Sequence, residues 1–171
     1  AAVRATDCYL DFGVLGSKTV PAMLTKYGYV DLAYAMASKE KAPSWGYWVN
    51  ECKMTTLGET WIMSPKLNDA SLDHVFMGDI IAWMQNTLAG INYDAEDPGF
   101  RHVIIHPHFV KDLDWVSGSF NSPQGLIRSE WKRKGQNVIL TITIPAGCRA
   151  TVNLEKQYEV DGGKHQFVVK P

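Results

Sequence analysis

Charge of one sign, long apolar runs and grouped cysteines are all scarce in this sequence. Its 17 basic residues against 18 acidic ones leave a formal net charge of −1. That balance supplies no electrostatic footprint for nucleic acid or an anionic membrane surface. No apolar run approaches the roughly 18 residues that span a bilayer. Cys8, Cys52 and Cys148 stand alone, with no CxxC or Cys/His spacing. They read as buried or free thiols, not a disulfide frame or zinc site, and no cofactor is expected. They leave the compartment open, whether periplasmic, secreted or cytoplasmic. Ala1-Ala2-Val3-Arg4 lacks an initiator Met and a signal peptide's charged-then-apolar order. The chain reads as processed, cut or engineered.

Aromatics are plentiful. Of 6 Trp, Trp45, Trp48 and Trp61 crowd into one stretch with Tyr47. Core packing explains most Trp. The sharper reading is a sugar platform, because pyranose rings stack on indole.

The pattern along the chain divides in two. Residues 18–39 read as a helical hairpin. Ser17 is placed to cap its first helix, Pro21 sits near the beginning, and Gly28 ends it. From Trp45 to Pro65 the pattern predicts a loop with short extended pieces, too aromatic for a solvated linker. Ser71 then reads as the N-cap of a long helix with a stripe of Leu72, Val75, Phe76, Ile80, Trp83, Met84 and Leu88. Gly90 is its stop, and Gly78 suggests close packing against a neighbouring helix. Asn92 to Gly99 reads as a domain boundary, beyond which the period becomes two. Strand-like runs follow, with turn signals at Ser122-Pro123, Lys134 to Asn137 and Pro145-Ala146-Gly147. A last hairpin is expected across Asp161-Gly162-Gly163. The fold class is therefore α+β and multidomain, with an antiparallel β-sandwich second. Three helices cannot bury their own faces and an aromatic loop too, so the first segment reads as part of a larger helical domain.

Glu59, in Thr55-Thr56-Leu57-Gly58-Glu59-Thr60-Trp61, is the lone carboxylate between a glycine and an aromatic. A carboxylate beside aromatic walls suits general acid/base work, whereas an isolated Glu is more often a surface residue. Glycoside hydrolysis needs two carboxyl groups, roughly 6.5–9.5 Å apart in the inverting geometry. His102, His106 and His108 resemble a metal cluster, but no carboxylate or Cys completes a ligand set, and they read as structural.

Several blocks together resemble the bacterial α-L-rhamnosidases of glycoside hydrolase family 78. They are Gly13-Val14-Leu15-Gly16, Pro43-Ser44-Trp45-Gly46-Tyr47, Thr55 to Trp61, Ser71-Leu72-Asp73-His74, Leu88-Ala89-Gly90-Ile91, Pro98 to His102, Ile105-His106-Pro107, Ser117-Gly118-Ser119, Ser122 to Gly125 and Thr143 to Ala146. The blocks stand in family order and cover almost the whole chain. The resemblance implies that residues 1–97 are the C-terminal part of an (α/α)6 catalytic barrel, and 98–171 the C-terminal β-sandwich domain. It implies a hydrolase that releases terminal α-L-rhamnose with inversion. Glu59 matches the family's general base and His74 its sugar-contacting histidine. Gly58 stands where many relatives have Trp or another large residue, and Asp73 where many have Asn. Trp61, Trp48 and Glu51 are further candidate sugar contacts. The family's general acid lies upstream of the matched blocks, so these residues alone are expected to be inactive. The implied partners are a rhamnose-containing carbohydrate and the remainder of the same enzyme chain, with no nucleic acid and no membrane. The rival readings are a non-catalytic carbohydrate-binding module and a structural remnant of a split enzyme.

Overall fold

The structure is a computed structural model that describes residues 7–9, 12–61 and 70–171. Two compact units divide at Trp83/Met84, the first helical and the second built on strands, an α+β chain.

In the helical unit, α1 (Val14–Lys26) and α2 (Val30–Ser38) form the expected hairpin. Gly28, at φ +80°, closes α1, with the Tyr29 amide bonded to the Leu24 carbonyl and the Gly28 amide to that of Thr25. A left-handed residue there satisfies carbonyls that the helix leaves unpaired. Ser17 is not the cap. The helix begins three residues earlier, and the buried Ser17 hydroxyl lies 2.6 Å from the Val14 carbonyl oxygen and 2.7 Å from that of Phe76. Pro21 accordingly sits inside α1 rather than near its start.

The stretch expected to be irregular contains a short helix, α3 (Trp45–Asn50). Ser44 caps it by accepting the Tyr47 amide at 2.9 Å, while its own hydroxyl reaches the Lys39 and Lys41 carbonyls. The long helix is shorter than its apolar stripe. It begins at Val75 as α4 (Val75–Trp83), and Met84–Leu88 form a π-helical turn. Ser71 lies outside it. The Ser71 hydroxyl instead accepts the Asp73 amide at 3.2 Å in a local turn. Only part of the stripe is buried. Ile80, Trp83 and Leu88 are inside, as is Met77 outside the stripe, whereas Leu72, Val75 and Phe76 are exposed. A Cβ added at Gly78 would meet nothing within 4 Å among the described residues, so no close helix packing is seen there.

The second unit holds β1 (Ile91–Tyr93), β2 (His102–Ile105), β3 (Trp115–Ser122), β4 (Gly125–Lys134), β5 (Asn137–Asn153) and β6 (Gln157–Val169). They hydrogen-bond into one six-stranded sheet in the order β1-β2-β5-β4-β3, with β6 also on β5. The sheet is mixed. β2 runs parallel to β5, where an antiparallel pairing was expected. Two expected turns are also absent. Pro145-Ala146-Gly147 lies within β5, and Asp161-Gly162-Gly163 within β6. The two glycine-rich stretches face each other where the β5–β6 register shifts between Ile144 and Arg149. A Cβ on Gly162 would lie 2.5 Å from the Pro145 carbonyl oxygen, so the sharp approach needs glycine. Both strands bend together there, and neither ends.

On either side of the bend β5 turns every second residue inward, but Ala146, which strict alternation would bury, is exposed. Val138, Leu140, Ile142, Ile144, Cys148, Ala150 and Val152 are all buried. They pack with Ile127, Trp131, Val103, Ile105 and Ile91 in the unit's core. The Trp131 indole donates to the Leu88 carbonyl at 2.8 Å, which satisfies a buried polar atom and anchors the π-helical turn.

Candidate functional site

Two short segments of the helical unit clasp each other around Glu59. The Glu59 amide donates to the Ser71 carbonyl at 2.9 Å, and the Ser71 amide returns a 3.0 Å bond to Glu59 Oε2. Two residues before Glu59 and three after Ser71, the His74 amide donates to the Leu57 carbonyl at 2.7 Å. The Thr56 hydroxyl donates to the Leu72 carbonyl at 2.6 Å. Segment 56–59 is thus pinned to segment 71–74 by three backbone-accepting bonds and one to the carboxylate. A charge-assisted amide bond orients a carboxylate. A fixed, half-buried carboxylate of this kind can take a proton from a water molecule.

His74 meets the edge of Phe76 at 5.4 Å between ring centroids. Its Nδ1 is buried and has no hydrogen-bond partner among the described residues. Native buried polar atoms are nearly always paired. A ligand hydroxyl or a further protein group would complete this one.

The three indoles of the helical unit's aromatic stretch pack on one another. Trp61 stacks on Trp48 at 4.8 Å and meets Trp45 edge-on at 4.9 Å. All three indole N–H groups are spoken for by carbonyls. Trp61 donates to Phe12, Trp48 to Trp61 and Trp45 to Met77. Trp48 is 0% exposed, so it has no face left for a sugar and is a packing residue. This corrects its place among the candidate contacts. Trp61 remains half-exposed. Glu51 is exposed at the C-terminal end of α3, its amide bonded to the Tyr47 carbonyl at 2.9 Å. None of the hydrogen bonds that close the Glu59 clasp reaches it. The neighbouring Tyr47 hydroxyl is pushed above its ordinary value, first by its hydrogen bond to Cys52 and then by the charge there.

The sheet unit contains a polar chain that the sequence reading missed. His102 Nδ1 lies 2.7 Å from Asp94 Oδ2, and its Nε2 lies 2.8 Å from Thr151 Oγ1. The Thr151 hydroxyl in turn donates to Glu159 at 2.8 Å. Asp94 is held below the usual carboxylate range by the Glu96 amide first and by His102 next. Glu159 is lowered by Gln157 and then by Thr151. His102 therefore ties together the 94–97 turn, β2, β5 and β6, a structural role. His106 and His108 lie 4.9 Å apart, and burial, then the His106 charge, pushes His108 down. Among the described residues no group of three His, Cys, Asp or Glu side chains is placed to hold a metal.

Comparison with known proteins names the setting of this site. A family model described as the bacterial alpha-L-rhamnosidase 6 hairpin glycosidase domain matches residues 1–88. The chain belongs to the bacterial α-L-rhamnosidase family. Residues 90–167 match the rhamnosidase C-terminal domain. An α-L-rhamnosidase of Streptomyces avermitilis is 29% identical, covering 99% of this chain and 19% of that protein. One from Alteromonas sp. is also 29% identical, over 92% of this chain and 18% of its own length. Among solved structures, the native rhamnosidase of Aspergillus terreus superposes with a TM-score of 0.90 at 28% identity, over 99% of this chain and 20% of that one. The S. avermitilis rhamnosidase complexed with L-rhamnose superposes at 0.86 with 26% identity, over 99% and 19%. The chain thus spans about a fifth of the length of the rhamnosidases it matches.

Proposed function

We propose that this chain carries the general-base half of the active site of an inverting α-L-rhamnosidase, with Glu59 activating the attacking water. The carrying observation is the two-way bond between Glu59 and Ser71, which holds the carboxylate in one orientation inside a rhamnosidase-family sequence. On this reading His74 Nδ1 meets a hydroxyl of the terminal rhamnose, and Trp61 borders the same sugar. Glu51 stands as an outer contact.

Inversion requires a second carboxyl group on the opposite side of the bond, roughly 6.5–9.5 Å away, to protonate the leaving oxygen. That acid is assigned to a part of the enzyme outside these 171 residues, which by themselves do not turn over substrate. Residues 1–97 are read as the end of the (α/α)6 barrel and 98–171 as the family's C-terminal β-sandwich domain. The exposed Leu15, Leu72, Val75 and Ile81 support the first assignment, because apolar helix faces of this kind pack on neighbouring helices in a barrel.

The test is Glu59→Gln in the longer enzyme, assayed on an aryl α-L-rhamnoside. Loss of at least a thousandfold in kcat with an unchanged melting temperature supports the assignment. Retention of more than a few per cent of the rate refutes it.

A further inference from the structure

The outward face of the sheet unit carries charge of one sign in a chain that is otherwise balanced. The registers of β3, β4, β5 and β6 place Trp115 beside Lys132 on this face, with Lys134, Arg128 and Lys164 on the same side. All four cations are exposed, and none of the ion pairs among the described residues involves them. The one acidic side chain among them, Glu130, accepts the Ser117 hydroxyl at 2.9 Å. Four cations against one carboxylate contrast with the chain's net charge of −1. Trp115 is 62% exposed, although a large aromatic normally buries most of its surface. Beside it lies an open hollow of about 740 Å³, bordered by Trp115, Glu130, Lys132 and Lys134.

We propose that this face binds an acidic polysaccharide. One sugar ring stacks on the Trp115 indole, while carboxylate or sulfate groups along the same glycan meet Lys132, Lys134, Arg128 and Lys164. The spacing suits a chain of charged rings. Neighbouring strands lie about 4.8 Å apart, and alternate residues along a strand about 6.6 Å apart. A neutral glycan would leave the four cations without a role. Single-stranded nucleic acid needs successive stacking platforms, and the face offers one indole. A folded protein partner fits poorly, since lysine is depleted at the core of protein interfaces.

The experiment is affinity electrophoresis and titration of the 171-residue chain with polygalacturonate, dextran sulfate, neutral dextran and poly(dT) at low salt. Binding to at least one acidic polysaccharide is expected, with no binding to dextran and weakening at high salt as the charges are screened. Whether polygalacturonate or dextran sulfate binds more tightly distinguishes carboxylate from sulfate. Trp115→Ala and the double variant K132E/K134E should each lower affinity at least tenfold without moving the melting temperature, and Trp115→Phe should recover part of the loss. The proposal is overturned if neither acidic polymer binds or if Trp115→Ala binds as well as the parent. It is equally overturned if poly(dT) binds as tightly in a Trp115-dependent way. The readout is binding and not hydrolysis, so the outcome is independent of the role assigned to Glu59.

Discussion

Glu59 and Ser71 exchange two hydrogen bonds across 12 positions of sequence, main chain to main chain at 2.9 Å and amide to carboxylate at 3.0 Å. The carboxylate is therefore oriented by a backbone donor whose own position depends on the Ser71 turn. Ser71→Ala keeps that amide but removes the hydroxyl that closes onto Asp73. The bond lost contributes about 1 kcal/mol. In the active, longer enzyme kcat should fall about three- to tenfold with KM within twofold, measured by steady-state kinetics. An unchanged kcat would show that the turn does not position the base.

Trp48 should behave as a core residue. It is fully buried under Trp61, and Trp48→Ala opens a cavity that costs about 3–5 kcal/mol. Denaturant unfolding should show that loss in the helical unit. Trp48→Phe keeps the stack and loses the bond to the Trp61 carbonyl, and so should cost less.

Gly78 offers the opposite result. It lies inside α4 with nothing within reach of an added Cβ. Gly78→Ala should stabilise the chain by about 0.8–1 kcal/mol, the helix-propensity difference, raising the unfolding midpoint.

The chain from Asp94 to Glu159 predicts acid sensitivity. Both carboxyl groups are depressed in the folded state, from ordinary values of 3.8 and 4.5. Their contribution is complete above those values and is lost as pH falls through the lower folded ones. The melting temperature should thus decline below about pH 4.5. Asp94→Asn should lower it at pH 7 and flatten the acid slope, because Asn offers no charge to protonate. An unaltered slope in scanning calorimetry would remove Asp94 from the account.

Much of this was legible from residues whose signals are local. Gly28 stops α1 because its backbone suits a left-handed end, and the period of two marks the strands as far as Ile144. Partners were not legible, since strand period does not name the neighbour or its direction, and so the parallel β2–β5 pair was missed. Ser17 and Ser71 are cap residue types that found other acceptors, one buried in a helix contact and one in a turn. Helix α3 escaped because six residues rich in Trp and Gly carry little periodicity. Glu59 stood out through the family resemblance, but its tie to Ser71 depends on tertiary closure. The His102 chain draws on residues 49 positions apart that only register unites.

The break in the β5 ladder sets a rule for how this domain tolerates insertions. Between Ile144 and Arg149 the strand advances five residues while β6 advances two, from Gly163 to Asp161, and Ala146 and Gly147 stand exposed. A residue added there lengthens a stretch that is already outside the ladder, whereas one added between Val138 and Ile144 would turn the rest of that run out of the core. Length variation should accordingly be absorbed at the Pro145–Gly147 bend, so that position, and not the number of residues added, decides which variants fold.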